Sequence, residues 1–141
     1  KIQSVSAEKI DTCLQTNILG LMHITRVFSP EIIKSTCGAV INIASIASRI
    51  TYSGGAAYSS SKHAVLGFSG CIYEDLREDG VKVCALLPGF VDTEMVDSKN
   101  MNREKMISPD DVAEAVSYVL NSSSRVCPTE IVMRPQRSPY K

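Results

Sequence analysis

The chain has 141 residues, 44% of them hydrophobic, which bounds it to one domain with enough apolar content for a core. Fifteen basic residues balance fifteen acidic ones, so charge makes no case for nucleic acid or an anionic membrane as a partner. Apolar runs are short and broken by polar residues, so no membrane span is expected.

Residues 1–6 are polar and lead into no apolar stretch, so no signal peptide is expected. Ser6 caps a predicted helix with Glu8 in its first turn, and Ile10, Leu14, Ile18 and Leu21 recur at helical spacing until Pro30 disturbs the pattern. Gly38 opens the run 39–44, AVINIA, which is too short for a helix and reads as a strand buried on both faces. A Ser/Gly-rich loop leads into a helix over 57–79, with Ala64, Val65, Phe68, Cys71, Ile72 and Leu76 toward a core and Gly80 as its stop. Residues 81–87 form a second buried strand, ended by Pro88 and Gly89. Ser108, Pro109 and Asp111 start a third helix whose apolar stripe is Val112, Val116, Val119 and Leu120. Residues 129–133 form a third strand, and 134–141 a polar, proline-rich tail. Residues 96–107 read as a charged, solvated loop, with a lid as the second reading.

Five cysteines form an odd set without a C-x-x-C pair, which argues against a disulfide framework and a zinc site and favours a reducing, cytoplasmic compartment. Each reads as buried and inert. His23 and His63 have no metal-ligand partners at usable spacing.

Alternating helices and strands imply a parallel sheet covered by helices, whose ligands bind beyond the carboxyl ends of the strands. The stretches 45–53 and 88–100 are therefore the candidate site, and Tyr58 opens a helix at the same rim. Tyr58 and Lys62, four apart, share a helical face. An isolated tyrosine ionises near pH ~10, and a nearby cation favours its phenolate, which suits proton transfer. Ser45, at the strand tip, is placed to donate to a substrate oxygen. Taken singly, each signal is weak: Tyr-x-x-x-Lys defaults to a surface pair, Ser45 to a loop serine, and Asn17 to a helix residue satisfied by nearby backbone.

Taken together, the motifs resemble the short-chain dehydrogenase/reductase family. Asn17 to Gly20 resembles its N-x-x-G helix motif. Residues 40–45, VINIAS, resemble the strand ending in the catalytic serine. Tyr58 to Lys62 matches Y-x-x-x-K, thirteen positions after Ser45, and 88–93, PGFVDT, matches P-G-x-V-x-T. The resemblance implies a Rossmann-like, doubly wound α/β sheet and hydride transfer between NAD(P)(H) and a carbonyl or secondary alcohol. Tyr58 would be the general acid/base, Ser45 would polarise the substrate oxygen, and Lys62 would act on Tyr58 and bond the nicotinamide ribose. Asn17 would hold a relay water. Pro88 and Gly89 would shape the turn under the nicotinamide, with the Val91 backbone and the Thr93 hydroxyl holding its carboxamide. The close at 131–135 resembles a subgroup using the phosphorylated cofactor, which tilts the choice between NAD and NADP toward NADP. The resemblance also implies a homo-oligomer, dimer or tetramer, assembled through the helices over 11–28 and 57–79.

The family's glycine-rich T-G-x-x-x-G-x-G turn and its N-N-A-G segment have no counterpart here. Residues 1–141 therefore correspond to the C-terminal, catalytic portion of one NAD(P)-binding domain, and a start at Lys1 fits a fragment or a cleaved product. A lone half would leave its first strand with an unpaired edge. The alternatives are a noncatalytic remnant serving as an oligomer partner, and a related epimerase or dehydratase.

Overall fold

The computed structural model describes residues 1–96 and 99–140; residues 97 and 98 of the predicted loop and residue 141 of the tail lie outside the described residues. Ser6 caps α1 (Ala7–Leu14), its hydroxyl accepting from the Lys9 amide at 3.3 Å. Gln15–Leu19 then widens into a π-helical stretch before α2 (Gly20–Lys34). Contrary to the sequence expectation, α2 runs through Pro30. Proline removes the N–H that would reach the Arg26 carbonyl, and the Ser29 hydroxyl donates to that carbonyl at 3.2 Å instead.

Strand β1 (Ala39–Ile43) precedes α3 (Ala56–Leu76), which tightens into a 3-10 turn (Arg77–Asp79). Gly80 stops it in the left-handed region, φ 74°, which L side chains rarely adopt. Strand β2 (Lys82–Pro88), α4 (Pro109–Asn121) and β3 (Glu130–Met133) complete the order. The sheet is parallel, β1-β2-β3, with Val40 opposite Val83 and Leu86 opposite Ile131.

β2 is buried from Val83 to Pro88 because both faces are covered. Val83, Ala85 and Leu87 pack with residues of α2 and α3, and Cys84 and Leu86 pack against Val119 of α4. Helices on both faces of a parallel sheet make a doubly wound α/β architecture. β1 departs from its expected double burial: only Asn42 within it is buried and Ile43 is 49% exposed. It pairs with β2 alone among the described residues.

Two predicted stripes are narrower than expected. On α3, Val65, Ile72 and Leu76 are buried, whereas Ala64 and Cys71 are exposed and Phe68 is half-buried. On α4, Leu120 is 52% exposed, because it lies about 80° round the helix from Val112 at the rim of the stripe. The loop is less solvated than its charges suggest. Met101 and Ile107 are buried, the Ile107 amide donates to Phe90 O at 3.0 Å, and the Asp92 amide to Ile107 O at 2.8 Å. Arg103 forms an ion pair with Asp92. The tail is tied down as well, by Asn102 N donating to Pro139 O at 2.7 Å and by Tyr140 edge-on to Phe90 at 5.6 Å.

The cysteines are free thiols. Cys84 is fully buried, and burial pushes its thiol up to about 11. Cys37 and Cys71 are exposed, contrary to the expectation of burial for every cysteine. Among the described residues, no helix is long and apolar enough to cross a membrane.

Candidate active site

The carboxyl ends of the strands form one rim held in register beyond the strands themselves. Ala44 N donates to Leu86 O, and Gly89 N to Met133 O, each at 2.8 Å. Ser45 follows in extended backbone and caps the short turn Ile46–Ser48, its Oγ accepting from the Ala47 amide at 3.1 Å. That bond orients the buried hydroxyl, and its own proton has no acceptor among the described residues. Ser45 is left as a donor toward the rim.

Tyr58 and Lys62 occupy the first turns of α3. The Lys62 ammonium lies 5.8 Å from the centre of the Tyr58 ring, within cation–π range. It also donates to the Ile43 carbonyl at 2.8 Å, two residues before Ser45. That contact brings the helix pair to the serine-bearing end of β1. Burial holds the Lys62 ammonium below the ordinary lysine range, and nearby Cys13 partly offsets this. Tyr58 is half-buried, and its phenol has no hydrogen-bond partner among the described residues. The phenol of Tyr52, in the preceding loop, is pushed up by burial first and by Tyr58 second.

Asn17 sits in the π-helical stretch, a distortion that often marks functional positions. Its Nδ2 donates to Ser61 Oγ at 3.0 Å and to Cys13 Sγ at 3.6 Å. Its partners are side chains, not the backbone expected for a plain helix asparagine. Pro88 closes β2 and Gly89 follows it. A Cβ on Gly89 would lie 3.1 Å from Pro135 Cδ, so a side chain there would press on the tail, while Ile46 Cδ1 at 3.7 Å would be in ordinary contact. Val91 and Thr93 are held by other contacts. Val91 bridges to Ile107, and Thr93 is exposed, its carbonyl accepting from Val96 N at 3.2 Å.

Sequence reasoning passed over Ser61, Cys13, the Ile43 carbonyl and Tyr52. A signal for Ser61 was available: it shares a helical stripe with Val65, Ser69, Ile72 and Leu76, and a polar group on a buried stripe needs a partner. The Ile43 carbonyl had none, because a backbone acceptor carries no side-chain identity.

The free Ser45 proton, the Tyr58 hydroxyl and the uncommitted N–H groups of Lys62 fit the oxygen-rich nicotinamide-ribose end of a dinucleotide beside a carbonyl substrate. Eight glycines without a glycine-rich strand-to-helix turn offer no cradle for a pyrophosphate. Among the described residues, no three His, Cys, Asp or Glu side chains cluster to hold a metal ion. A groove of about 740 Å³ runs between the loop at Asn102–Ile107 and the tail at Val132–Arg137, but none of Asn17, Ser45, Tyr58 and Lys62 lines it.

Residues 1–104 match the short chain dehydrogenase family. An "uncharacterized oxidoreductase" of Staphylococcus epidermidis is 31% identical over 135 residues, covering 96% of this chain and 59% of the relative. The crystal structure of serine dehydrogenase from Escherichia coli superposes with a TM-score of 0.80 at 30% identity, over 94% of this chain and 56% of that one. A closed form of serine dehydrogenase complexed with NADP+ gives a TM-score of 0.77 at 29% identity, over 94% and 57%. The chain thus spans less than two thirds of the length of these proteins, and its Rossmann-like sheet is part of a larger domain of that type.

Proposed function

The chain belongs to the short chain dehydrogenase family, and on that premise we propose that residues 1–141 are the catalytic portion of an NAD(P)-dependent oxidoreductase acting on a small carbonyl or secondary alcohol. One observation carries the reading: Tyr58 and Lys62 stand together on α3, and Lys62 reaches the end of β1 that bears a buried serine with an uncommitted proton. When bound, NAD(P)(H) supplies or takes up the hydride. The Ser45 hydroxyl donates to the substrate oxygen where negative charge develops. Tyr58 gives that oxygen a proton during reduction, or takes one during oxidation. Lys62 favours the anionic form of Tyr58 and bonds the ribose, and Asn17 holds the water that links Lys62 to solvent. Pro88, Gly89, Val91 and Thr93 form the seat of the nicotinamide. Serine dehydrogenase, with NADP+ bound, supports a nicotinamide cofactor. The two exposed free thiols fit a reducing, cytoplasmic setting.

The test is Tyr58→Phe in the full-length protein. It removes the proton donor, so turnover falls by at least ~10²-fold, the scale of general acid catalysis, while cofactor affinity changes little. Near-normal turnover in this variant overturns the assignment.

A further inference from the structure

Residues 90–92 lie beyond the end of β2, and segments far along the chain hold them in place. Buried Ile107 makes the first hold: its amide donates to Phe90 O at 3.0 Å, and its carbonyl accepts from Asp92 N at 2.8 Å. In a trans peptide the N–H points opposite to the C=O. With Phe90 O and Asp92 N both turned toward Ile107, the N–H and C=O of Val91 must point the other way. A turn makes the second hold. Asn102 Oδ1 accepts from Glu104 N at 3.0 Å to start it, Met106 N donates to Arg103 O at 3.0 Å to close it, and Arg103 pairs with Asp92. The tail makes the third. Asn102 N donates to the carbonyl of buried Pro139 at 2.7 Å, and Met101, also buried, bridges antiparallel to Tyr140. The Tyr140 ring then meets the Phe90 ring edge-on at 5.6 Å and 82°. The tail thus touches both residues 90–92 and the turn that holds them.

We infer that residues 139–140 are a strap on the nicotinamide seat and that Tyr140 is a positioning residue for the cofactor: through Phe90, and through the turn that carries Ile107, it fixes the direction in which Val91 presents its N–H and C=O. The inference rests on the seat proposed above. Tyr140 is 62% exposed, so its loss takes little from the core. Its contact is made by the ring and not by the hydroxyl, so phenylalanine should serve as well. A matched structural contact lies at the other end of α4. There the Lys82 ammonium donates to Ser122 Oγ at 2.7 Å and to Val119 O at 3.2 Å, holding the helix end away from the seat.

The experiment compares Tyr140→Ala, Tyr140→Phe and Lys82→Ala with the parent, all as full-length protein. It reads Kd for NADPH and for NADH by fluorescence titration, hydrogen exchange of the segment 88–107 without cofactor, and thermal unfolding. Tyr140→Ala should raise Kd roughly three- to tenfold, the span one aromatic edge contact gives, and speed exchange at the Asp92 and Ile107 amides. Tyr140→Phe should restore both readouts. Lys82→Ala should lower the unfolding temperature and leave Kd and the exchange of 88–107 in place. Should Tyr140→Ala not fold, Arg103→Gln, which releases Asp92 from the same turn, should raise Kd and speed exchange in the same direction. An unchanged Kd in Tyr140→Ala, or an equal loss in Tyr140→Phe or Lys82→Ala, overturns the inference. The parent separates the two levels. If it binds NADPH or NADH and Tyr140→Ala binds equally well, only the strap falls; if it binds neither, the cofactor reading beneath falls too.

Discussion

At the first turns of α3, Lys62 donates to the Ile43 carbonyl and faces the Tyr58 ring, and burial makes its charged form costly. The folded chain therefore holds this proton less tightly than the unfolded chain does. Below the folded-state pKa the cost is present in full. It is relieved as pH rises through the window that ends at the ordinary lysine value of 10.5, because the unfolded state binds more protons there. Lys62→Met lacks this term. The unfolding temperature of the parent should accordingly gain on that of Lys62→Met as pH is raised from about 7 toward 10.5. A gap that stays constant with pH would mean that Lys62 is no more buried than an ordinary surface lysine. The same variant should shift the pH–rate profile to higher pH and weaken cofactor binding.

At the scale of the element, hydrogen bonds that close locally govern the helices. The start of α4 is a reciprocal pair: Ser108 Oγ accepts from the Asp111 amide at 3.1 Å, and Asp111 Oδ2 from the Ser108 amide at 2.7 Å. These bonds hold the Asp111 carboxyl below the usual carboxylate range, led by the bond from the Ser108 backbone. Ser108→Ala should cost about 1 kcal/mol and lower the unfolding temperature by a few degrees, measured by circular dichroism at neutral pH. An unchanged unfolding temperature would show that α4 is held by its packing through Val119 and not by its cap. Longer-range bonds act differently. Asn42 with Ser69 and Asn17 with Ser61 bring polar groups onto the sheet-facing stripe of α3, and each serine is first satisfied within its own helix. That leaves each serine only an acceptor to offer its asparagine.

At the scale of the whole molecule, apolar surface remains after the sheet is covered. Ile24, Val27 and Phe28 of α2 are exposed, as are Ala64 and Cys71 of α3. One stripe per helix suffices to pack on the sheet, and an apolar face beyond it is suited to a partner surface. The full-length protein should sediment as a dimer or larger homo-oligomer at micromolar concentration in analytical ultracentrifugation. A single monomeric species would end that expectation.

How much was legible in the sequence follows the range of each interaction. The helix starts at Ser6 and Ser108, the stop at Gly80, the three strands and the candidates Ser45, Tyr58 and Lys62 were all readable, because caps, turn glycines and periodicities act over a few residues. Pro30 misled because a serine one residue away replaces the missing donor. The double burial expected of β1 is not met within residues 1–141, where β1 pairs with β2 alone among the described residues. The sequence by itself thus determined the element order and the parallel α/β class, and it named the candidate residues at the rim. Only the tertiary structure decided that Lys62 reaches the Ile43 carbonyl, that Gly89 abuts Pro135, and that Ser61 takes the Asn17 carboxamide. Those contacts join residues 19 to 46 positions apart in the chain, and no local pattern encodes a distance that folding alone closes.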